Sequence, residues 1–210
     1  MSAGRPRVPP GRAGRLWLRG RLATAERGLD LLDRKLTILR RDHERLQLLE
    51  RRTGEELERT WRDAERWLLR AAVLGGQRGL RLAAGGQPAG VTVAWRDTMG
   101  IRYPADATCD LPEPPPPPVA GTAALGPATD AHRAVLAAAV AHAAATTAVR
   151  LVGEEVTATR QRVRAVQDRW IPRLRAALAE VELSLDELEQ ADNARLRRAM
   201  AAPGPARGRP

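Results

Sequence analysis

The sequence predicts an all-α dominated fold: a long antiparallel two-helix coiled coil with a small β-hairpin-containing middle insert and disordered tails. Three observations lead there. Two long stretches, 15–74 and 129–200, carry apolar residues at alternating steps of three and four, the spacing of a coiled-coil seam. A Gly- and Pro-rich stretch, 75–128, separates them. The composition also lacks bulky core residues. Aromatics make up 3% and Phe is absent, so Leu, Ala and Val must do the packing. Such side chains fill a narrow seam between helices more readily than a wide core.

Residues 1–14 hold three Pro, three Gly and three Arg and read as a disordered basic arm. From Arg15 to Leu74 there is no Pro. The first seam runs Leu18, Leu22, Ala25, Leu29, Leu32, Leu36, Leu39, His43, Leu46. Glu50 and Thr53 weaken it, and Leu57, Ala64, Trp67, Ala71 and Leu74 restore it. Sixty helical residues would span ~90 Å at 1.5 Å each, a length that implies a coiled coil.

Gly75-Gly76 ends this helix. In the insert, GVTVAW (90–95) alternates like a strand, and Met99-Gly100 leads into IRYP (101–104). That pattern predicts a short hairpin over 90–104, turning near Met99 and Gly100. Pro114–Pro118 reads as a polyproline II spacer.

The second helix is expected over 129–200, with Thr129 or Asp130 as N-cap. Its seam runs Val149, Val152, Val156, Thr159, Val163, Val166, Trp170, Leu174, Leu178, Val181, Leu185, Leu188. The four-step repeats around Val166, Trp170 and Leu174, beside Pro172. A doubled step of this kind is a stutter that unwinds the supercoil locally. One long helix kinked at Pro172 is therefore expected, since no turn residues divide it. Each stripe needs a partner, and the partner in the same chain is at high effective concentration. Folding back as an antiparallel pair, residues whose numbers add to about 203 should face each other: Leu18 with Leu185, Leu22 with Val181, Leu29 with Leu174, Leu32 with Trp170 or Ile171, Leu39 with Val163. Residues 201–210 form a second expected disordered tail.

Little in the chain points to chemistry. No G-x-x-x-x-G-K-[ST] phosphate loop is present, and His43, His132, His142 and Cys109 have no metal-ligand spacing. Glu154 and Glu155 are adjacent and point to different sides of a helix. No active site, cofactor or metal is expected. The lone cysteine forbids an internal disulfide and fits a reducing compartment. The basic N-terminus lacks an apolar region behind it, so no signal peptide is expected. The longest uncharged run, 134–149, is Ala-dominated and reads as too short and too weakly apolar to span a bilayer. The net charge of +10 suggests a nucleic-acid partner, but 25 acidic side chains would oppose the phosphates.

Three stretches resemble one family. RGLDLLDRKLTILRRD (27–42) is similar to the first-helix signature of the D subunits of the V/A-type rotary ATPases. TMGIRYP (98–104) resembles the central hairpin of those subunits. RVRAVQDRWIPRLRA (162–176), with ELEQADNARLRR (187–198), resembles their C-terminal helix. Their order and spacing cover residues 15–200. Gln167 and Asp168 stand where the family tends to have Leu-Glu, and the proline run is unusual for it.

The resemblance implies a central rotor shaft, not itself an enzyme and without a cofactor. Its coil would stand inside the hexamer of catalytic A and B subunits, with the small F subunit beside it and a socket subunit joining it to the ion-carrying membrane ring. It implies a peripheral position on the cytoplasmic face of the membrane. It also implies that the end bearing Arg15, Arg19, Arg195, Arg197 and Arg198 enters the hexamer. The alternative of another class is a basic coiled-coil nucleic-acid-binding or scaffold protein.

Overall fold

The computed structural model describes residues 8–83, 88–113 and 122–201. The arm over 1–7, the run Pro114–Pro118 and the tail over 202–210 lie outside the described residues. The fold is all-α dominated with one two-stranded antiparallel sheet. In chain order come α1 (Gly11–Ala83), β1 (Gly90–Thr98), β2 (Ile101–Asp110), α2 (Leu125–Ala165), a π-helical turn (Val166–Trp170) and α3 (Ile171–Ala201). The chain divides into two compact units: a terminal unit, 1–34 with 160–210, and a middle unit, 35–159.

Helix α1 starts four residues before the expected Arg15. Gly11 takes φ 69°, and the carbonyl of Pro9 occupies the place where a Cβ on Gly14 would stand. Two glycines thus let the chain fold tightly into the first turn. Near its other end the helix is broken at Gly76, whose φ of 62° and ψ of 176° only glycine adopts readily. Helical structure resumes beyond that break and reaches Ala83. Between Leu18 and Ala71 the seam keeps strict phase. Every position at alternating four and three steps is buried or half-buried, including Glu50, Thr53 and Thr60.

In the terminal unit, Leu18, Val163, Ile171 and Leu174 are buried. Leu22, Leu29, Leu32, Val166, Leu178, Val181 and Leu185 are half-buried, and Leu188 is exposed. The helix does not break at Pro172. Instead the N–H of Ile171 bonds the carbonyl of Val166, five residues back, in a widened turn. Pro172 cannot donate a backbone hydrogen bond, and a π-turn is one way a helix makes room for such a residue. The turn also absorbs the extra residue in the seam, which steps Val163, Val166, Ile171, Leu174. The side chain buried here is Ile171; Trp170 is 39% exposed.

In the middle unit, the core gathers Leu39, Leu46, Tyr103, Ala148 and Val152, with Ile101, Val149, Leu151 and Val156 packed against it. Leu39 thus belongs to the same cluster as Ala148 and Val152. A second cluster joins Ala71, Ala124, Leu125 and Ala128, flanked by Trp67 and Leu80. The start of α2 lies four residues before the expected cap. The Leu125 N–H bonds the Thr122 carbonyl, and the Thr129 hydroxyl donates back to the Leu125 carbonyl inside the helix.

The hairpin is longer than 90–104. Met99 (φ 53°) and Gly100 (φ 81°) form a two-residue turn with both φ positive, the geometry that matches strand twist. Ala94 pairs with Asp106 and Trp95 with Pro104, so Ala105 is the extra residue of a bulge. Pro104 lacks a ladder donor, and a bulge is where a strand tolerates it.

By length and composition, a stretch within 125–200 is apolar enough to cross a membrane, more than expected of the Ala-rich run. Ala138, Ala144, Ala145 and Ala148 from that run are buried in the chain, while only 22% of the apolar window as a whole is.

Candidate functional site

The terminal unit is joined by a ladder of ion pairs. Arg12 meets Glu189 at 3.0 Å, Arg19 meets Glu182 at 2.6 Å, and Arg175 meets Glu26 at 2.9 Å. Positions 12, 19 and 26 rise by seven while 189, 182 and 175 fall by seven, so the helices here run antiparallel with one ion pair per heptad. Each pair adds to 201, two below the expected facing positions. The pairs flank the apolar seam, where coiled coils place the charges that set orientation. All six side chains are more than a third exposed, so each pair contributes ~0–1 kcal/mol.

The arginines expected at the shaft end divide into two sets. Arg19 bonds across the pair to Glu182, and Arg15 is half-buried with its Nε unpaired. Arg195 bonds Asp192 and Arg197 bonds the Asn193 carbonyl, both within α3, and Arg198 lies in its last turn.

The middle unit presents the hairpin. Tyr103 is fully buried in the core, and Arg45 donates to its hydroxyl at 3.3 Å. Arg133 on α2 donates to the carbonyls of Pro112 and Leu111 at 2.6 and 3.5 Å, which ties down the strand's exit. An apolar cleft of about 270 Å³ lies between Val91, Val93 and Trp95 of the hairpin and Val140, Ala144 and Thr147 of α2. At the turn, Met99 is exposed, and the Arg102 guanidinium stacks over the exposed Trp95 ring, 5.4 Å from its centre. Lys35, the only lysine, bonds Glu155 at 2.9 Å, and the buried Thr159 hydroxyl donates to the same carboxylate.

Sequence reasoning misses Tyr103, Arg45 and Arg133. The alternation IRYP puts Tyr103 opposite in face to its neighbours, a signal for the inner face of the hairpin. Nothing local marks Arg45 or Arg133. Among the described residues, no group of His, Cys, Asp and Glu is placed to hold a metal ion.

A heptad seam with flanking charges and a hairpin packed against the helices defines a coiled-coil protein. The family model for the D subunit of ATP synthase matches residues 16–201, and the chain belongs to that family. The V-type ATP synthase D subunit of Thermotoga neapolitana is 28% identical over 194 residues, spanning 91% of this chain and 96% of the relative. The A-type ATP synthase D subunit of Pyrococcus horikoshii is 28% identical over 201 residues, spanning 93% and 94%.

Proposed function

We propose that the chain is the central rotor shaft of a V/A-type ATP synthase, coupling proton or sodium transport through the membrane ring to ATP synthesis or hydrolysis in the catalytic A/B hexamer. In this reading it carries no catalytic residue. The A, B and F subunits and the socket subunit are its partners, and it sits peripherally at the cytoplasmic face of the membrane. The observation that carries the reading is coverage: the family match runs from residue 16 to 201, so it takes in both helical stretches and the hairpin. The unbroken seam from Leu18 to Ala71 suits the role, because a helix pair packed without gaps in phase resists twisting. The exposed arginine–carboxylate mixture suits a surface that must turn against its neighbours without sticking.

Affinity purification of the tagged full chain from its own cells, followed by mass spectrometry, tests this. Recovery of the A, B and F subunits in defined ratio is the expected result. A preparation that holds none of them, or one dominated by nucleic acid released by salt, would overturn it.

A further inference from the structure

We infer that His43 and His142 are reciprocal pins that fix the register of the helix pair in the middle unit. The two rings are used in the same way on opposite helices. His43 of α1 lies against Gly153 of α2, where an added Cβ would stand 2.9 Å from its Nε2. His142 of α2 lies against Gly54 of α1, where an added Cβ would stand 3.3 Å from its Cε1. Gly54 stands eleven positions after His43, and Gly153 stands eleven positions after His142. The two contacts are therefore related by a local twofold, and both belong to one antiparallel register.

His142 is also held by hydrogen bonding. Its Nδ1 is 3.1 Å from the Thr53 hydroxyl. That hydroxyl shares its single proton with the carbonyls of Leu49 and Glu50, each at 3.0 Å. The hydroxyl and Nδ1 share a hydrogen bond whose direction is set by the tautomer of the ring. The ring is fixed in orientation as well as in place.

The apolar seam alone discriminates poorly between registers here. On α2 it offers Ala138, Ala145 and Val152 at heptad intervals, so a slip of seven residues exchanges one small apolar side chain for another. The histidines do not tolerate that slip. It would bring Gln47 or Trp61 to the place of Gly54, and Thr146 or Arg160 to the place of Gly153. None leaves a notch for a ring. Glycine in a helix interior is unfavourable relative to alanine, and here both glycines stand where a histidine needs the space. A polar side chain in a coiled-coil seam that selects register at some cost in stability is a known use of such residues.

Two double-mutant cycles on the full chain test the pins. Gly153→Ala should lower the melting midpoint when His43 is present and raise it in a His43→Ala background. Gly54→Ala should do the same with His142 and His142→Ala. Spin labels attached through Arg52→Cys and Thr146→Cys, in a Cys109→Ser background, report the register directly. The parent should give one distance. The His43→Ala/His142→Ala variant should add a second population, displaced by up to ~10 Å, the rise of one heptad. Additive effects in either cycle, or one unshifted distance in the folded double variant, would overturn the inference. If the double variant does not fold, the two cycles decide alone.

Discussion

The terminal and middle units are built from the same two kinds of helix, yet they are held together differently. Of the buried apolar side chains among the described residues, the terminal unit has Leu18, Val163, Ile171 and Leu174, while sixteen lie in the middle unit. Across the terminal pair the recurring contacts are exposed ion pairs, one per heptad. In the middle, hydrophobic contacts close around Tyr103, and the ion pair of Lys35 with Glu155 is largely shielded. The reason is geometric. Where two helices meet alone, only a few seam residues, such as Leu18 and Leu174, are fully covered, and most, such as Leu22, Leu29 and Leu32, stay half-buried. Where a hairpin lies over the pair, a third layer completes the cover.

This difference can be broken most severely at Tyr103. Tyr103→Ala should cost ~3–5 kcal/mol, the range for removing a large buried aromatic side chain. Chemical denaturation followed by circular dichroism would measure it. Tyr103→Phe removes only the bond from Arg45 and should cost ~0.5–1.5 kcal/mol. Equal losses from both variants would mean that the hydroxyl, not the packing, holds the hairpin.

A matched leucine pair sharpens the contrast. Leu46 in the middle unit is 1% exposed, whereas Leu29 in the terminal unit is half-buried. Leu46→Ala should cost ~2–5 kcal/mol. Leu29→Ala leaves no closed cavity and should cost about half as much, following the smaller apolar area lost. Equal costs in denaturation would remove the distinction between covered and uncovered seams.

How much of this is legible in the sequence also differs between the regions. The first seam can be read residue by residue, because heptad spacing is local and α1 keeps it through both units. The turn at Met99-Gly100 can be read for the same reason. At Pro172 the change of phase is visible in the spacing, but not which side chain it buries. A stutter and a π-turn add the same residue to the seam, and only the hydrogen bond from Ile171 to Val166 selects Ile171 over Trp170. The second half of β2, ADATCD, carries little strand propensity; pairing with β1 extends it. Tyr103 against Arg45 joins residues 58 apart, and no local pattern encodes such a contact.

The ion-pair ladder should respond more weakly than any core site. Glu182→Gln removes the middle rung with Arg19 and should cost ~0–1 kcal/mol. Raising the salt concentration should shrink that cost further, since the Debye length falls to ~3 Å at 1 M. A cost above that of Leu29→Ala, unchanged by salt, would make charge the main bond of the terminal unit.

The smallest effect is expected at Glu56, where an ion pair lies within one helix of the middle unit rather than across a pair. Arg59 donates from Nε at 2.9 Å and from Nη2 at 2.5 Å to the two carboxylate oxygens. This hydrogen bonding, aided by the guanidinium charge, holds the Glu56 carboxyl below the usual glutamate range and raises Arg59. A depressed folded pKa stabilises the fold at pH values above the ordinary glutamate value. That contribution is lost as the pH falls through the folded value, where the carboxylate takes up its proton. Both groups are fully exposed, so water and salt screen the pair and little stability depends on it. Titration followed by NMR should place the Glu56 midpoint lower in the parent than in Arg59→Ala, with no measurable change in the melting midpoint at neutral pH. A large loss of stability in Arg59→Ala would show that local charge pairs hold the middle unit as firmly as its buried core, and the contrast between the two units would fail.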